Sequence, residues 1–305
     1  MSALSESEVR AMVWSSSESA MNAFNSSLCP RRHAGPVARR STLAILTLLV
    51  TVVFGSLRAH ADDTARVAAC SRDGFDASEL NSILARRVAN GRVDYSGLIR
   101  DDKGHLAAYL SAISGVSQPC YQSWTNDSRF AFWVNVYNAA TLQVVVDQYP
   151  LTSIRSIGWI PGSAFREPVV SVPALRAEPY SLDDIENTIL RPIFHDARVH
   201  FAIVCASVSC PALRSEAYRG KDLSQQLDDQ ARGFLSDISK NRLDPSGRGL
   251  QLSSIFKWFR RDFERDAGSL NEFVARFAPP AIAAVARNKD TTIEFLDYNW
   301  SLNAQ

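Results

Sequence analysis

Residues 129–149, RFAFWVNVYNAATLQVVVDQY, are apolar almost all the way round a helical wheel and contain neither Gly nor Pro. The closing LQVVVDQY could pass for a strand when read alone. The length and continuity of the whole run favour a helix, and Pro150 supplies the stop. A helix without a polar face has to sit inside a core. The rest of the chain must therefore wrap around it. Two amides interrupt the apolar surface. Asn135 and Asn138 are three residues apart and share one face. Each would cost about 1–3 kcal/mol if buried without hydrogen-bond partners. The sequence offers His200, Ser207, Asn187 and Asn299 as polar groups for them to meet.

The segments around this helix alternate between helical and strand-like patterns. Residues 77–90 place Leu80, Ile83, Leu84 and Val88 on one helical face, and Asn90-Gly91 ends the run with a pair suited to left-handed backbone. A short extended piece follows, then a helix through Leu106, Tyr109, Leu110 and Ile113, then a loop at 115–126. Residues 153–179 read as short strands and turns, with PVVSVPAL the clearest. Ser181 and Asp184 form a variant capping box at the head of SLDDIENTILRP. RVHFAIVCA, at 198–206, reads as a strand buried on both faces. An amphipathic helix is expected over 223–238, a strand and then a helix over 250–263, a helix over 270–278, and a closing strand over 291–303. No repeat or long linker divides the mature chain. The expected fold class is α+β: a single helix-rich domain, 62–305, with a small mixed sheet around a buried central helix.

The first 61 residues read as an address. Arg31, Arg32, Arg39 and Arg40 precede the apolar run 41–57, and Ala59 and Ala61 flank His60 in the A-x-A pattern of a signal-peptidase site. Cleavage after Ala61 is expected, and Met21 is an alternative start that would give a leader of ordinary length. The protein is thus expected to be exported, to the periplasm or beyond. The alternative is a membrane anchor at 41–57, and membrane contact is expected only through that segment if it is left uncleaved. With 33 basic and 32 acidic side chains and a formal net charge of +1, the chain lacks the basic surplus of a nucleic-acid binder. No cofactor fingerprint is present, and the sequence specifies no partner.

Chemistry concentrates in HFAIVCASVSCP, residues 200–211. Of the chain's five cysteines, Cys29 falls in the leader, leaving Cys70, Cys120, Cys205 and Cys210. An even number in an oxidising compartment favours disulfides, and closeness in sequence favours Cys205–Cys210, leaving Cys70–Cys120. Four readings compete for the stretch. A nucleophilic Cys205 would need a base such as His200, but positions five apart on a strand face opposite ways. The spacing matches no common zinc site, so no metal is expected. Active dithiols usually have two residues between the cysteines, and here four intervene. A structural bridge stapling a turn, with Ser207 and Ser209 capping backbone groups and His200 in the core, is the reading the spacing favours. The candidate catalytic set is His200, Cys205, Asn135 and Asn138, with Asn187, Ser207 and Asn299 as supporting polar groups. Lys257, Arg260 and Arg261 in KWFRRDF read as a solvated helix face that could rim an anionic pocket.

FWVNVYNA, SLDDIENTILRP, HFAIVCASVSCPAL, IFKWFRRDF and YNWSLN occur in this order. The ordered set resembles the DUF547 family over residues 130–303. The resemblance carries no established activity with it; it implies the fold, and export, since bacterial members are often exported. The leucine-zipper segment of plant members is missing. Relatives commonly have His where this chain has Asn187, and Asp where it has Asn299. Two functions are therefore expected: a cell-envelope binding or accessory protein, or alternatively a hydrolase or transferase, in a degenerate papain-like arrangement, using the polar cluster around His200 and the Cys205–Cys210 turn.

Overall fold

The computed structural model describes residues 71, 73–160 and 162–305. The leader expected over 1–61, with its apolar run and cleavage site, and Cys29 and Cys70 lie outside the described residues. The central helix, α3, spans Asn126–Gln148, and its buried residues run almost unbroken from Phe130 to Leu142. Thr125 caps it, its hydroxyl accepting the Ser128 N–H at 3.1 Å. Tyr149 then leaves in an extended conformation, as a residue before proline does.

Among the helices that precede α3 are α1, Ser78–Arg87, and α2, Lys103–Ile113. They bury Leu80, Ile83, Leu106 and Ile113 in the same apolar cluster as α3. Between them, strands β1 (Val88–Ala89) and β2 (Arg92–Val93) form an antiparallel hairpin. Its turn is the Asn90-Gly91 pair, with φ of 52° and 76°. A Cβ on Gly91 would lie 2.4 Å from the Ala212 methyl, so the turn needs glycine for contact as well as for φ.

The capping box is realised: the Ser181 hydroxyl accepts the Asp184 N–H, and the Asp184 carboxylate accepts the Ser181 N–H, each at 3.0 Å. It opens α4 (Leu182–Asp184), which runs through a π-helical stretch, Ile185–Leu190, into α5 (Arg191–Phe194). Next comes α6, Val199–Ala202, then the amphipathic α7, Leu223–Ser236. Strands β3 (Arg242–Leu243) and β4 (Leu250–Ser253) pair antiparallel, and β4 pairs parallel with β5 (Ile293–Leu296). Helices α8 (Ser254–Trp258), α9 (Arg260–Ala267), α10 (Leu270–Phe277) and α11 (Pro280–Ala286) fill the interval between β4 and β5. The result is a helix-rich α+β fold with one two-stranded sheet and one mixed three-stranded sheet.

The described residues fall in one compact unit with two apolar clusters. The first surrounds α3; the second joins Phe201, Phe234, Phe256, Phe263 and Phe273 to the three-stranded sheet. Helix α6 lies between them, sending Val199 and Ala202 to the first and Phe201 to the second.

This corrects the strand expected over 198–206. The Asp196 carboxylate accepts the Arg198 N–H at 2.9 Å and starts a single helical turn, and extended backbone resumes at Ile203. A side chain supplies what a strand neighbour would have supplied. The Asn138 amide accepts the Val204 N–H at 3.0 Å and donates to the Ala202 carbonyl at 2.9 Å. Asn135 makes the same two-way bond with the backbone N–H and carbonyl of Tyr218, both at 2.9 Å. The strand expected at PVVSVPAL reduces to one bridge, Val170 to Tyr180, and the loop at 115–126 contains a short helix, Gln118–Ser123. The closing strand ends at Leu296, and the chain beyond it becomes a strap over the Cys205–Cys210 loop.

Candidate functional site

The loop begins where Asn138 releases it. Ala206 adopts φ 56°, a left-handed conformation that costs an alanine about 1–2 kcal/mol and persists only when its surroundings hold it. The C-terminal strap does the holding. Asn303 N–H donates to the Ala206 carbonyl at 3.1 Å, Val208 N–H to Ser301 at 2.8 Å, and Ser209 N–H to Asn299 at 3.1 Å. The strap is thereby locked in register, and it places Tyr298 over Cys205.

Four polar side chains meet here. The Cys205 sulfur lies 3.0 Å from Ser207 Oγ, 3.2 Å from Tyr298 Oη and 3.1 Å from the Cys210 sulfur. Ser207 and Tyr298 are also 3.1 Å apart. Both cysteines are free thiols. The disulfide expected between them is absent, because a bonded pair would sit at about 2.05 Å. The sulfurs are kept apart by other engagements: Cys210 Sγ accepts the Cys205 N–H at 2.9 Å, while Cys205 Sγ is turned toward the two hydroxyls. Cys120 is half-buried, and its expected partner Cys70 lies outside the described residues.

Electrostatics separates the two thiols. The hydrogen bond with Cys210 does most to lower Cys205, burial opposes it, and the Ser207 and Tyr298 hydroxyls add to the lowering; the thiol ends at about 7. Burial, reinforced by the neighbouring Cys205, pushes Cys210 well up. Cys205 is half-buried, whereas Cys210 is 4% exposed. Tyr298 is raised well above the ordinary phenol range, mainly by burial, and so stays a proton donor. Burial also raises Glu186 to about 7, with Cys205 and Asp262 among the negative groups acting in the same direction.

His200 belongs to a different cluster. It is buried, and its Nε2 lies 2.8 Å from Asp262 Oδ2, which also accepts Arg191 Nε at 2.7 Å. Arg265 approaches the other carboxylate oxygen at 3.1 Å. Phe259 stacks on the imidazole with ring centroids 3.9 Å apart. Burial lowers His200 to about 4 against the pull of Asp262, so at neutral pH the ring is uncharged. Asp262 is pushed up by burial, but the bonds from His200 and Arg191 outweigh this and hold it well below the usual carboxylate range.

The predicted site residues thus divide. Ser207 joins Cys205 directly. Asn138 fixes the backbone between His200 and Cys205, and Asn135 fixes Tyr218 instead. Asn187 is exposed, with its side-chain oxygen accepting Arg191 Nη1 at 2.6 Å. Asn299 is exposed, its backbone N–H donating to Ser209 Oγ at 2.9 Å. Tyr298, Glu186 and Asp262 were not singled out from the sequence. Tyr298 and Glu186 each neighbour an amide that was. Asp262 was concealed in a charge run, although helical spacing puts it on the Phe259 face.

Among the described residues, no group of three or more His, Cys, Asp or Glu side chains is placed to hold a metal ion. No curated protein and no solved structure matches the chain. Residues 121–235 match a family described as "Protein of unknown function, DUF547". A DUF547 domain is therefore present over residues 121–235; it holds α3, Glu186, His200 and both thiols of the loop, and it ends before Asp262 and Tyr298.

Proposed function

We propose that this is an exported enzyme of the hydrolase or transferase kind whose nucleophile is Cys205. One observation carries the reading: the sulfur of Cys205, a half-buried residue, sits within 3.2 Å of two hydroxyls and a second thiol. A thiolate is the reactive form of cysteine, and hydroxyls within hydrogen-bond distance of the sulfur can turn their protons to it and favour it once it ionises. The thiolate would attack an electrophilic centre on the substrate, and the Tyr298 hydroxyl is placed to follow developing charge there. Asn138 and the C-terminal strap hold the loop in position. The leader supports export. A second reading, a non-catalytic envelope binding or accessory protein, is favoured by the closed His200–Asp262 cluster, in which the charges are paired as in a scaffold.

Alkylation tests the first reading. Mature protein treated briefly with iodoacetamide at pH 7 and mapped by mass spectrometry should carry the label on Cys205, with Cys210 unmodified. Tyr298→Phe removes one donor to the thiolate and should move the pH midpoint of the reaction up by about one unit. Equal labelling of the two thiols, or prior labelling of Cys210, would contradict the proposal.

A further inference from the structure

We propose that the electrophile Cys205 attacks is a disulfide and that Cys210 is the resolving thiol, so that the loop performs thiol–disulfide exchange. This inference rests on the nucleophilic Cys205 of the reading above and goes beyond it, putting redox exchange with a disulfide in place of hydrolysis or group transfer.

Four observations lead to it. First, one of the three groups within 3.2 Å of the Cys205 sulfur is another sulfur, 3.1 Å away, about 1 Å beyond a bond. A small movement within one loop closes the pair. Second, the two thiols are unequal in access. Cys205 is a half-buried residue, whereas Cys210 is 4% exposed, so Cys205 is the nearer of the two to the surface. That is the order an attacking and a resolving thiol require. Third, the loop is held in this facing arrangement: Cys210 N–H donates to the Ser207 carbonyl at 3.1 Å, Cys205 N–H points at the Cys210 sulfur, and the strap pins Ala206, Val208 and Ser209. Fourth, among the described residues no hydrogen bond joins His200, whose Nε2 is on Asp262, to Cys205, so no imidazole is in place beside the sulfur to assist hydrolysis of a thioester. Exchange between sulfurs has less need of such a base, because its leaving group is itself a thiolate.

The steps balance. The Cys205 thiolate attacks one sulfur of R–S–S–R. A Cys205–SR bond forms, the substrate S–S bond breaks, and the first RS⁻ leaves. Cys210 then loses its proton and attacks the Cys205 sulfur. The internal disulfide forms, the mixed disulfide breaks, and the second RS⁻ leaves. The substrate disulfide is reduced by two electrons, the dithiol is oxidised by two, and the two protein protons balance the two thiolates. In an oxidising compartment the same steps run backwards to deliver a disulfide to a substrate dithiol.

The aromatic rings beside the site fit a bulky substrate. Trp258, Tyr298 and Trp300 pack with centroids 4.6–5.9 Å apart, and Trp258 is 39% exposed. Arg155 lies over Trp300 at 5.0 Å.

The test uses 5,5′-dithiobis(2-nitrobenzoate) as the disulfide, with mass analysis of the product. Wild-type mature protein should release two equivalents of nitrothiobenzoate from this site, end with Cys205 bonded to Cys210 and carry no adduct. Cys210→Ser should release one equivalent and retain the adduct on Cys205. The wild type, and not Cys210→Ser, should then accelerate reduction of insulin disulfides by dithiothreitol. A wild-type protein that keeps a stable adduct on Cys205, or that fails to accelerate insulin reduction, overturns the exchange function while leaving a nucleophilic Cys205 intact. A Cys205 inert to both the disulfide and iodoacetamide overturns the nucleophile reading along with it.

Discussion

Asp262→Ala is expected to destabilise the protein by about 3–5 kcal/mol, read as a fall in the urea midpoint at unchanged slope. The cost lies in what is left behind. Arg191 is half-buried and donates to this carboxylate, and the fully buried His200 ring has it as its hydrogen-bond partner. Removing Asp262 leaves the imidazole against Phe259 and Phe263 without its acceptor, and leaves the Arg191 guanidinium over Phe259 with the Asn187 side-chain oxygen as its remaining partner. Breaking one member of a buried pair costs more than the pair contributes, because the remaining charge stays desolvated. A loss under about 1 kcal/mol, the range of a surface ion pair, would show that the cluster is solvated and would refute its assignment as scaffold.

The same cluster sets the acid limit. His200 has its folded value lowered from 6.5 to about 4, so the unfolded chain takes up its proton first as pH falls. The stability it contributes is complete above 6.5 and is lost progressively down to 4, roughly 3 kcal/mol in all. Asp262 is also held below its ordinary value, so its contribution is present above that value and is lost at lower pH still. Both groups therefore weaken the fold in acid, and a His200→Gln variant should lose the part of the slope between 6.5 and 4.

Asn138→Ala is the second large effect, about 2–4 kcal/mol. The asparagine amide offers a donor and an acceptor in the geometry of a peptide group, and it satisfies the Ala202 carbonyl and the Val204 N–H at once. Alanine leaves both backbone groups buried and unpaired in a tightly packed interior. Because these groups lead straight into Cys205, the variant should also lose the preference for alkylation at Cys205 over Cys210. Destabilisation without any change in that preference would mean that the loop is positioned by the C-terminal strap alone.

These amides show how far the sequence could be read. The all-round apolarity of α3 located the core, and the cost of burying Asn135 and Asn138 required that they be paired. Their partners were out of reach, because they are peptide groups of irregular segments and carry no side-chain signature. The run VHFAIVCA had the composition of a strand, yet among the described residues no strand pairs with it, so Asp196 starts a helical turn there and Asn138 takes the place of the ladder. In KWFRRDF, charge composition suggested a solvated face, while the 3.6-residue period puts Asp262 and Phe263 inside. Tyr298 meets Cys205 across 93 positions of chain, a contact that no local pattern encodes. Spacing alone likewise could not distinguish a bonded cysteine pair from two thiols held at hydrogen-bond distance.

The central claim is that the surroundings of Cys205 lower its thiol below the ordinary cysteine range, so that a large fraction is thiolate at neutral pH. The most direct measurement is the thiolate ultraviolet absorbance of the mature protein titrated from pH 5 to 10, with the Cys205→Ser titration subtracted. A midpoint at about 7 is predicted. A midpoint at or above about 8.5, that of an ordinary cysteine, would contradict the account.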